Sequence, residues 1–214
     1  MKDRRLLSIL GITGAFSLLS YAAAVIFSPL AFPGYDALAQ AVSDLSAVNA
    51  PSRMLWDRLA AVYDTCSVMC ITCVTVYVSE KELPKLFKLG VYLYCIMEWI
   101  SRIGYQMFPL SDSGKEIAGM QETMHIVVTA AVVLLSIVSL ILLIIAGARH
   151  KDPRGGEQRI IGVFAAIALA MMFIGAIGQG AVPPEYFGIV ERFSVFAAVG
   201  FNAVLGIWLF TRKD

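Results

Sequence analysis

Charged residues are scarce in this sequence. Only 15% of its 214 residues are Asp, Glu, Lys or Arg and 58% are hydrophobic, whereas a soluble domain is about a quarter charged. Long polar tails, flexible linkers and internal repeats are also missing, so no separate soluble domain is expected. The composition predicts one all-α domain, residues 1–214, with lipid as its solvent.

Sequence motifs of familiar enzymes are absent as well. The chain has no HExxH, no GxSxG and no Walker loop. Its two histidines, His125 and His150, are predicted on opposite sides of the membrane and so cannot share a metal ion. His125 with neighbouring carboxylates stays an open alternative. The four cysteines lie in apolar stretches, where free cysteine behaves as a small hydrophobe: Cys66, Cys70, Cys73 and Cys95.

These absences limit the expected partners. No metal site and no cofactor are predicted. With 17 Lys and Arg against 16 Asp and Glu, the balance of charge gives no reason to expect nucleic acid. A membrane lipid or another amphipathic small molecule is the expected partner.

Six apolar stretches are each long enough to cross a hydrocarbon core roughly 30 Å thick as a helix. Their approximate positions are 6–28, 57–79, 86–107, 124–147, 159–181 and 188–211. The first is interpreted as a membrane helix rather than a cleaved signal peptide because of its length. The fold class predicted is a polytopic bundle of six transmembrane helices.

Basic residues are concentrated at one set of helix ends. If the N-terminus is inside, the outer loops hold only Arg53 and Lys115, with Arg58 and Arg192 at helix mouths. The inner segments then hold Lys2, Arg4, Arg5, Lys81, Lys85, Lys88, Arg149, Lys151, Arg154, Arg159, Arg212 and Lys213. The positive-inside rule therefore predicts that both termini are cytoplasmic.

The longest loop is the first outer one, from Pro29 to Trp56. It begins with a turn at 32–35. Apolar residues at Leu38, Ala41, Val42 and Leu45 then recur at helical spacing over 37–48. This spacing predicts a short amphipathic helix on the outer membrane interface.

Ionisable side chains occur inside the apolar stretches, where each one is costly. Asp64 lies eight residues after Trp56, and so about 12 Å deeper in the membrane. No basic residue lies one turn from Asp64 on its own helix, so it needs Arg102 or Arg192 from another span, or else a proton. Glu98 precedes Arg102 by four residues, the favourable order for an ion pair within one helix.

Further polar residues gather at the same outer ends. His125 opens the fourth span, Glu191 and Arg192 open the sixth, and Asn202 lies near the membrane centre. One interpretation is that these groups only neutralise one another. The favoured interpretation is an outward-facing pocket with Asp64, Glu98 and His125 as candidate acids or bases. Its candidate ligand contacts are Tyr35, Asp36, Asp44, Trp56, Arg102, Tyr105, Glu191, Arg192 and Asn202.

Several short motifs carry a resemblance to a known family. The motifs are Pro33-Gly34-Tyr35-Asp36, Ser43-Asp44-Leu45-Ser46, Trp56, Gly104 with Phe108-Pro109, His125, and Gly188-Ile189-Val190-Glu191-Arg192. In this order they resemble a bacterial membrane family catalogued as "domain of unknown function 998". The resemblance implies a six-span protein of the bacterial cytoplasmic membrane and implies no biochemical function.

Three functions stay open. The first is an intramembrane pocket that binds, or binds and acts on, a lipid-like or isoprenoid-like molecule, with Arg102 and Arg192 suited to an anionic head group. The second is a small transporter or proton-coupled permease, which would need to dimerise; Gly175, Gly178 and Gly180 permit close helix contact. The third is a non-catalytic assembly partner of another membrane protein.

Overall fold

A computed structural model describes residues 2–112, 119–149 and 156–212. Five basic residues whose side of the membrane was predicted above lie outside these ranges: Lys115, His150, Lys151, Arg154 and Lys213. The described ranges contain helices and no strands, which confirms the all-α fold class there. The helices are α1 (Lys2–Leu10), α2 (Thr13–Phe27), α3 (Arg53–Glu80), α4 (Lys85–Met107), α5 (Met120–Arg149), α6 (Gly156–Ala181) and α7 (Phe187–Phe210).

Five segments of the described chain have the length and apolar character of membrane helices. They are Arg5–Ala31, Arg53–Glu80, Met120–Arg149, Gly156–Gly178 and Pro184–Phe210. They establish a helical bundle of the membrane-protein type. Helix α4 has 23 residues and so a length of about 34 Å, but it carries Lys85, Lys88, Glu98 and Arg102. The predicted count of six spans therefore depends on α4.

The first predicted span, 6–28, is not one uninterrupted helix. It divides into α1 and α2 at Gly11 and Ile12. A side chain at Gly11 would lie 2.8 Å from the backbone nitrogen of Phe210, and the Ser8 hydroxyl donates a hydrogen bond to the Leu209 carbonyl at 2.9 Å. The break thus lies where the chain is fitted against the end of α7.

The helices form a closed ring. Each of α2 to α7 packs on the next in chain order, and α2 and α3 both pack on α7. Glycines allow close approach at several of these contacts. Gly175 and Gly178 fit against Ser194 and Val190 of α7, so two of the three glycines that would permit a homodimer contact serve packing within the chain.

The predicted amphipathic helix over 37–48 is wrong. This part of the loop contains turns and one 3₁₀ helix, Ser43–Ser46. Val42 and Leu45 are buried as the apolar spacing predicted, but Leu38 is 52% exposed. The backbone does not coil into an α-helix because Leu38 and Gln40 direct their carbonyls to α7.

Substitutions at two glycines of α7 test how closely the helices of the ring pack. Alanine at Gly206 would place its Cβ 2.7 Å from the Cys70 sulfur, whereas no atom lies within 4 Å of a Cβ at Gly200. We expect Gly206→Ala to destabilise the protein by roughly 1–3 kcal/mol through overpacking. The control Gly200→Ala should stabilise it by up to about 1 kcal/mol. Thermal unfolding in detergent micelles measures both, and equal melting temperatures would contradict the packing.

Candidate functional site

Asp64, in the N-terminal half of α3, and Arg102, in the C-terminal half of α4, form an ion pair. The Arg102 Nη2 atom lies 3.6 Å from Asp64 Oδ2, and the two side chains are 29% and 34% exposed. Of the two cations that the sequence offers as partners, Arg102 is the one in contact. The distance exceeds that of a hydrogen bond, so the guanidinium retains donors for another acceptor.

Glu98 does not form the expected pair with Arg102. Its side chain is only 6% exposed, and no described residue donates a hydrogen bond to it or pairs with it. Tyr63 and Cys70 of α3 and Tyr94 of its own helix lie within electrostatic range. Arg102 is turned to Asp64 instead, which leaves Glu98 as an isolated buried acid.

Glu191 and Arg192 hold the first outer loop. The Val42 backbone N–H donates to Glu191 Oε2 at 3.1 Å. Arg192 donates to the Tyr35 hydroxyl at 2.9 Å and to the Gln40 carbonyl at 3.2 Å. These two candidate ligand contacts are therefore engaged by the loop that covers the start of α7.

The aromatic and acidic residues of the loop shape its turns. The Tyr35 hydroxyl donates to the Ala41 carbonyl at 2.8 Å. Burial raises the pKa of Tyr35, so this hydroxyl keeps its proton. Asp36 Oδ1 accepts the Leu38 backbone N–H at 2.9 Å, and Asp44 is buried within the 3₁₀ helix. These contacts favour a structural role in the loop for all three residues.

Gly188 explains how the loop comes so close to α7. A Cβ atom at Gly188 would lie 2.7 Å from the Ala37 carbonyl oxygen and 2.8 Å from that of Leu38. The Ile189 N–H also donates to the Leu38 carbonyl at 3.3 Å. Residues 35–40 and the motif at 188–192 are thus the two sides of one contact, which includes Tyr35 of the motif at 33–36.

A second attachment joins the first outer loop to the segment after α4. The Val48 N–H donates to the Leu110 carbonyl at 2.9 Å, and the Asn49 N–H donates to the Ser111 carbonyl at 3.1 Å. The Asn49 side chain also donates to Asp112 at 3.0 Å. The loop is therefore fixed on two sides of the bundle mouth.

Aromatic side chains pack beneath the loop. The Trp56 ring meets the Tyr21 ring edge-on, with centroids 5.8 Å apart, and Tyr21 also contacts Tyr63 and Phe196. The buried Val42 joins this cluster from the loop. Trp56 is therefore a packing anchor between α2, α3 and α7.

His125 and Tyr105 connect α4 to α5. His125 Nδ1 lies 2.8 Å from the Phe108 carbonyl oxygen, and its ring lies 5.1 Å from that of Tyr105. The Tyr105 hydroxyl donates to Thr129 at 3.1 Å. In the described ranges, no three His, Cys, Asp or Glu side chains could together hold a metal ion.

Asn202 connects α3 to α7 deep in the bundle. Its amide donates to the Ser67 carbonyl at 3.0 Å, while no described residue donates a hydrogen bond to its Oδ1 atom. The side chain is 1% exposed. Interhelical hydrogen bonds of this kind hold membrane helices together.

An apolar groove on α4, which the sequence did not predict, shares part of the helix face that carries Arg102. It has a volume of about 450 Å³ and is lined by Cys95, Ile96, Trp99, Ile100, Ile103 and Gly104. Cys95, Trp99 and Arg102 are spaced by four and three residues and so share one helix face. Trp99 also donates to Thr72 of α3 at 3.1 Å. The sequence feature that could have indicated the groove is the set of apolar residues at helical spacing before Arg102.

Exchange of the Val42 amide hydrogen tests the loop contact. Glu191→Ala removes the acceptor, and a hydrogen bond to a charged group contributes about 1.5–3 kcal/mol. We expect exchange at Val42 to accelerate about tenfold or more, as measured by hydrogen–deuterium exchange. Glu185→Ala, which changes an exposed residue at the same mouth, is the control and should leave the rate unchanged. Equal rates in both variants would rule out the contact.

Comparison with known proteins places the chain in a family. A search of curated proteins and of solved structures gave no match. The model of the family described as "Protein of unknown function (DUF998)" matches residues 15–208, a range that contains every candidate site residue. The protein therefore belongs to the DUF998 family, as the resemblance of its motifs predicted.

Proposed function

We propose that this protein binds an anionic lipid-like or isoprenoid-like molecule at the outer end of the α3–α4 face. Arg102 binds the head group and the groove on α4 holds the apolar chain. The observation that supports this proposal most is a partly exposed guanidinium on the helix that carries an apolar groove, with Cys95 and Trp99 of the groove on the Arg102 face.

The chemistry of both parts supports this assignment. A guanidinium offers a planar set of donors that fits phosphate or carboxylate oxygens. Between Cys95 and Gly104 the groove follows α4 for about 14 Å, close to half of a hydrocarbon core roughly 30 Å thick. One acyl or isoprenyl chain of a single leaflet matches this length.

The membrane arrangement belongs to the same proposal. Helix α4 is the additional span that brings the count to six. It lies between α3 and α5 and packs on both. Lys85 and Lys88 then lie at its cytoplasmic end and Arg102 near its outer end. Both termini lie in the cytoplasm, as the distribution of basic residues favours.

Binding is better supported than catalysis. Asp64 is paired with Arg102, and His125 already contacts the Phe108 carbonyl oxygen through Nδ1. Glu98 is an unpaired acid, but it is buried. A reaction on the bound molecule is not needed to explain the arrangement.

Assembly with another membrane protein is the second candidate. Glu191, Arg192 and Asn202 are all engaged within the chain, as a purely structural set of polar residues would be. This function requires no ligand at Arg102.

Substitution of Arg102 separates these candidates. We expect Arg102→Gln to weaken binding of phosphatidylglycerol or an isoprenyl phosphate about tenfold or more, because charge-assisted hydrogen bonds are lost. Arg102→Lys should retain part of the affinity. Native mass spectrometry of the detergent-purified protein measures binding, with phosphatidylcholine as the uncharged comparison.

Two controls complete the experiment. Arg58→Gln removes an exposed cation from the outer end of α3 and should leave binding unchanged. Ile103→Trp should fill the groove and weaken binding, whereas Leu134→Trp on the exposed face of α5 should not. Anionic-lipid binding that is insensitive to both Arg102→Gln and Ile103→Trp would refute the site and favour the assembly function.

A further inference from the structure

Glu98 is a carboxyl group without a cation. It is 94% buried, since 6% of its surface is exposed, and no described residue pairs with it. An ionised carboxylate in such surroundings costs several kcal/mol. The neutral acid avoids this cost.

The residues around Glu98 do not compensate a negative charge. The titratable groups within electrostatic range are Tyr63 and Cys70 of α3 and Tyr94 and Cys95 of α4. All four are neutral near pH 7. Helices α5, α6 and α7 carry no ionisable side chain over 126–148, 160–178 and 193–210.

Arg102 is the one cation that one helical turn brings next to Glu98. Residues four apart on a helix are neighbours, with Cβ atoms about 5–6 Å apart. Arg102 nevertheless pairs with Asp64 across the helix interface, at 3.6 Å. Asp64, on the neighbouring helix, therefore holds the guanidinium that lies one turn from Glu98.

We infer that Glu98 is a proton-binding site inside the membrane and that Arg102 sets its occupancy by pairing with either Asp64 or Glu98. In the arrangement observed, Asp64 is ionised, Arg102 is paired with it, and Glu98 holds the proton. In the alternative, Arg102 turns to Glu98, the Glu98 O–H bond breaks, and the proton passes to Asp64. Net charge is unchanged, because one proton moves opposite to one cation.

This site exchanges protons with one side only. Asp64 is 34% exposed and is the group through which the proton reaches the outer medium. The inner parts of α5, α6 and α7 offer no ionisable group to carry it further, and α3 and α4 offer only thiols and phenols over 65–79 and 89–97, which are neutral near pH 7. Glu98 therefore stores a proton rather than relaying it across the membrane.

Infrared spectroscopy of the protein in liposomes at neutral pH tests the proton directly. The spectrum of the unmodified protein minus that of Glu98→Gln should show the carbonyl band of a protonated carboxylic acid, shifted in deuterated water. Because Gln is close in shape to the neutral acid, this variant should fold and melt like the unmodified protein. Absence of the band would overturn the proton site.

Three further variants test the control by Arg102. Asp64→Asn leaves Glu98 as the only carboxylate in competition, so the band should decrease about tenfold or more. Arg102→Gln should keep the band, because no cation then ionises Glu98. Asp57→Asn is the matched control: it removes an exposed carboxylate from α3 that pairs with Arg53 and should change nothing. A full band in Asp64→Asn, or its loss in Arg102→Gln, would overturn the exchange.

Proton binding at Glu98 is independent of the proposed ligand. The infrared measurement contains no lipid titration, and Glu98→Gln leaves both Arg102 and the groove in place. Failure of lipid binding with an intact acid band would reject the lipid site alone. Normal lipid binding without the band would reject the proton site alone.

Discussion

Polar groups need partners within the protein, and this need shapes the end of the bundle at which the chain connects α2 to α3. Peptide groups near lipid are costly when they are unpaired, and the first outer loop has little regular structure to pair its own. The opening turn of α7 supplies the partners through Glu191 and Arg192, while Gly188 permits the close approach. With the loop fixed in this way, Val42 and Trp56 reach the aromatic cluster that joins α2, α3 and α7.

The lengths of the apolar helices and the positions of their polar residues could be predicted from the sequence. Which of several possible hydrogen-bond or ion-pair partners a group would take could not be predicted. The apolar stretches located the long helices, and the lack of a cation near Asp64 on α3 pointed to another helix. The amphipathic spacing over 37–48 failed because α7 takes the carbonyls that a helix would use. The Glu98–Arg102 spacing failed because an intrahelical pair contributes only about 0.2–0.5 kcal/mol, so a partner on α3 could replace it. Rules based on residue spacing within one segment do not include partners on other helices, such as α7 in the first case and Asp64 in the second.

The motif residues and the charged residues of α3 and α4 have different tasks. Motifs at the two ends of the chain meet in one contact between loop and helix, which accounts for their occurrence together. Asp64, Glu98 and Arg102 lie outside those motifs, and Arg102 shares part of its helix face with the apolar groove. In this chain the motifs therefore build one end of the bundle, whereas the proposed chemistry depends on residues that the motifs do not include.

An isolated acid in a membrane helix has no structural benefit of its own. Tyr94, one turn away, already joins α4 to α7 through the Ala198 carbonyl, and an apolar side chain at position 98 would avoid the cost of burying a carboxyl group. The cost of burial is smallest when the Glu98 carboxyl group is neutral. The carboxyl group becomes useful when Arg102 can reach it. The loose contact between Arg102 and Asp64 keeps that movement within reach, since a partly exposed ion pair is only weakly held. The same looseness leaves the guanidinium open to an anionic head group, so Arg102 takes part in both proposals.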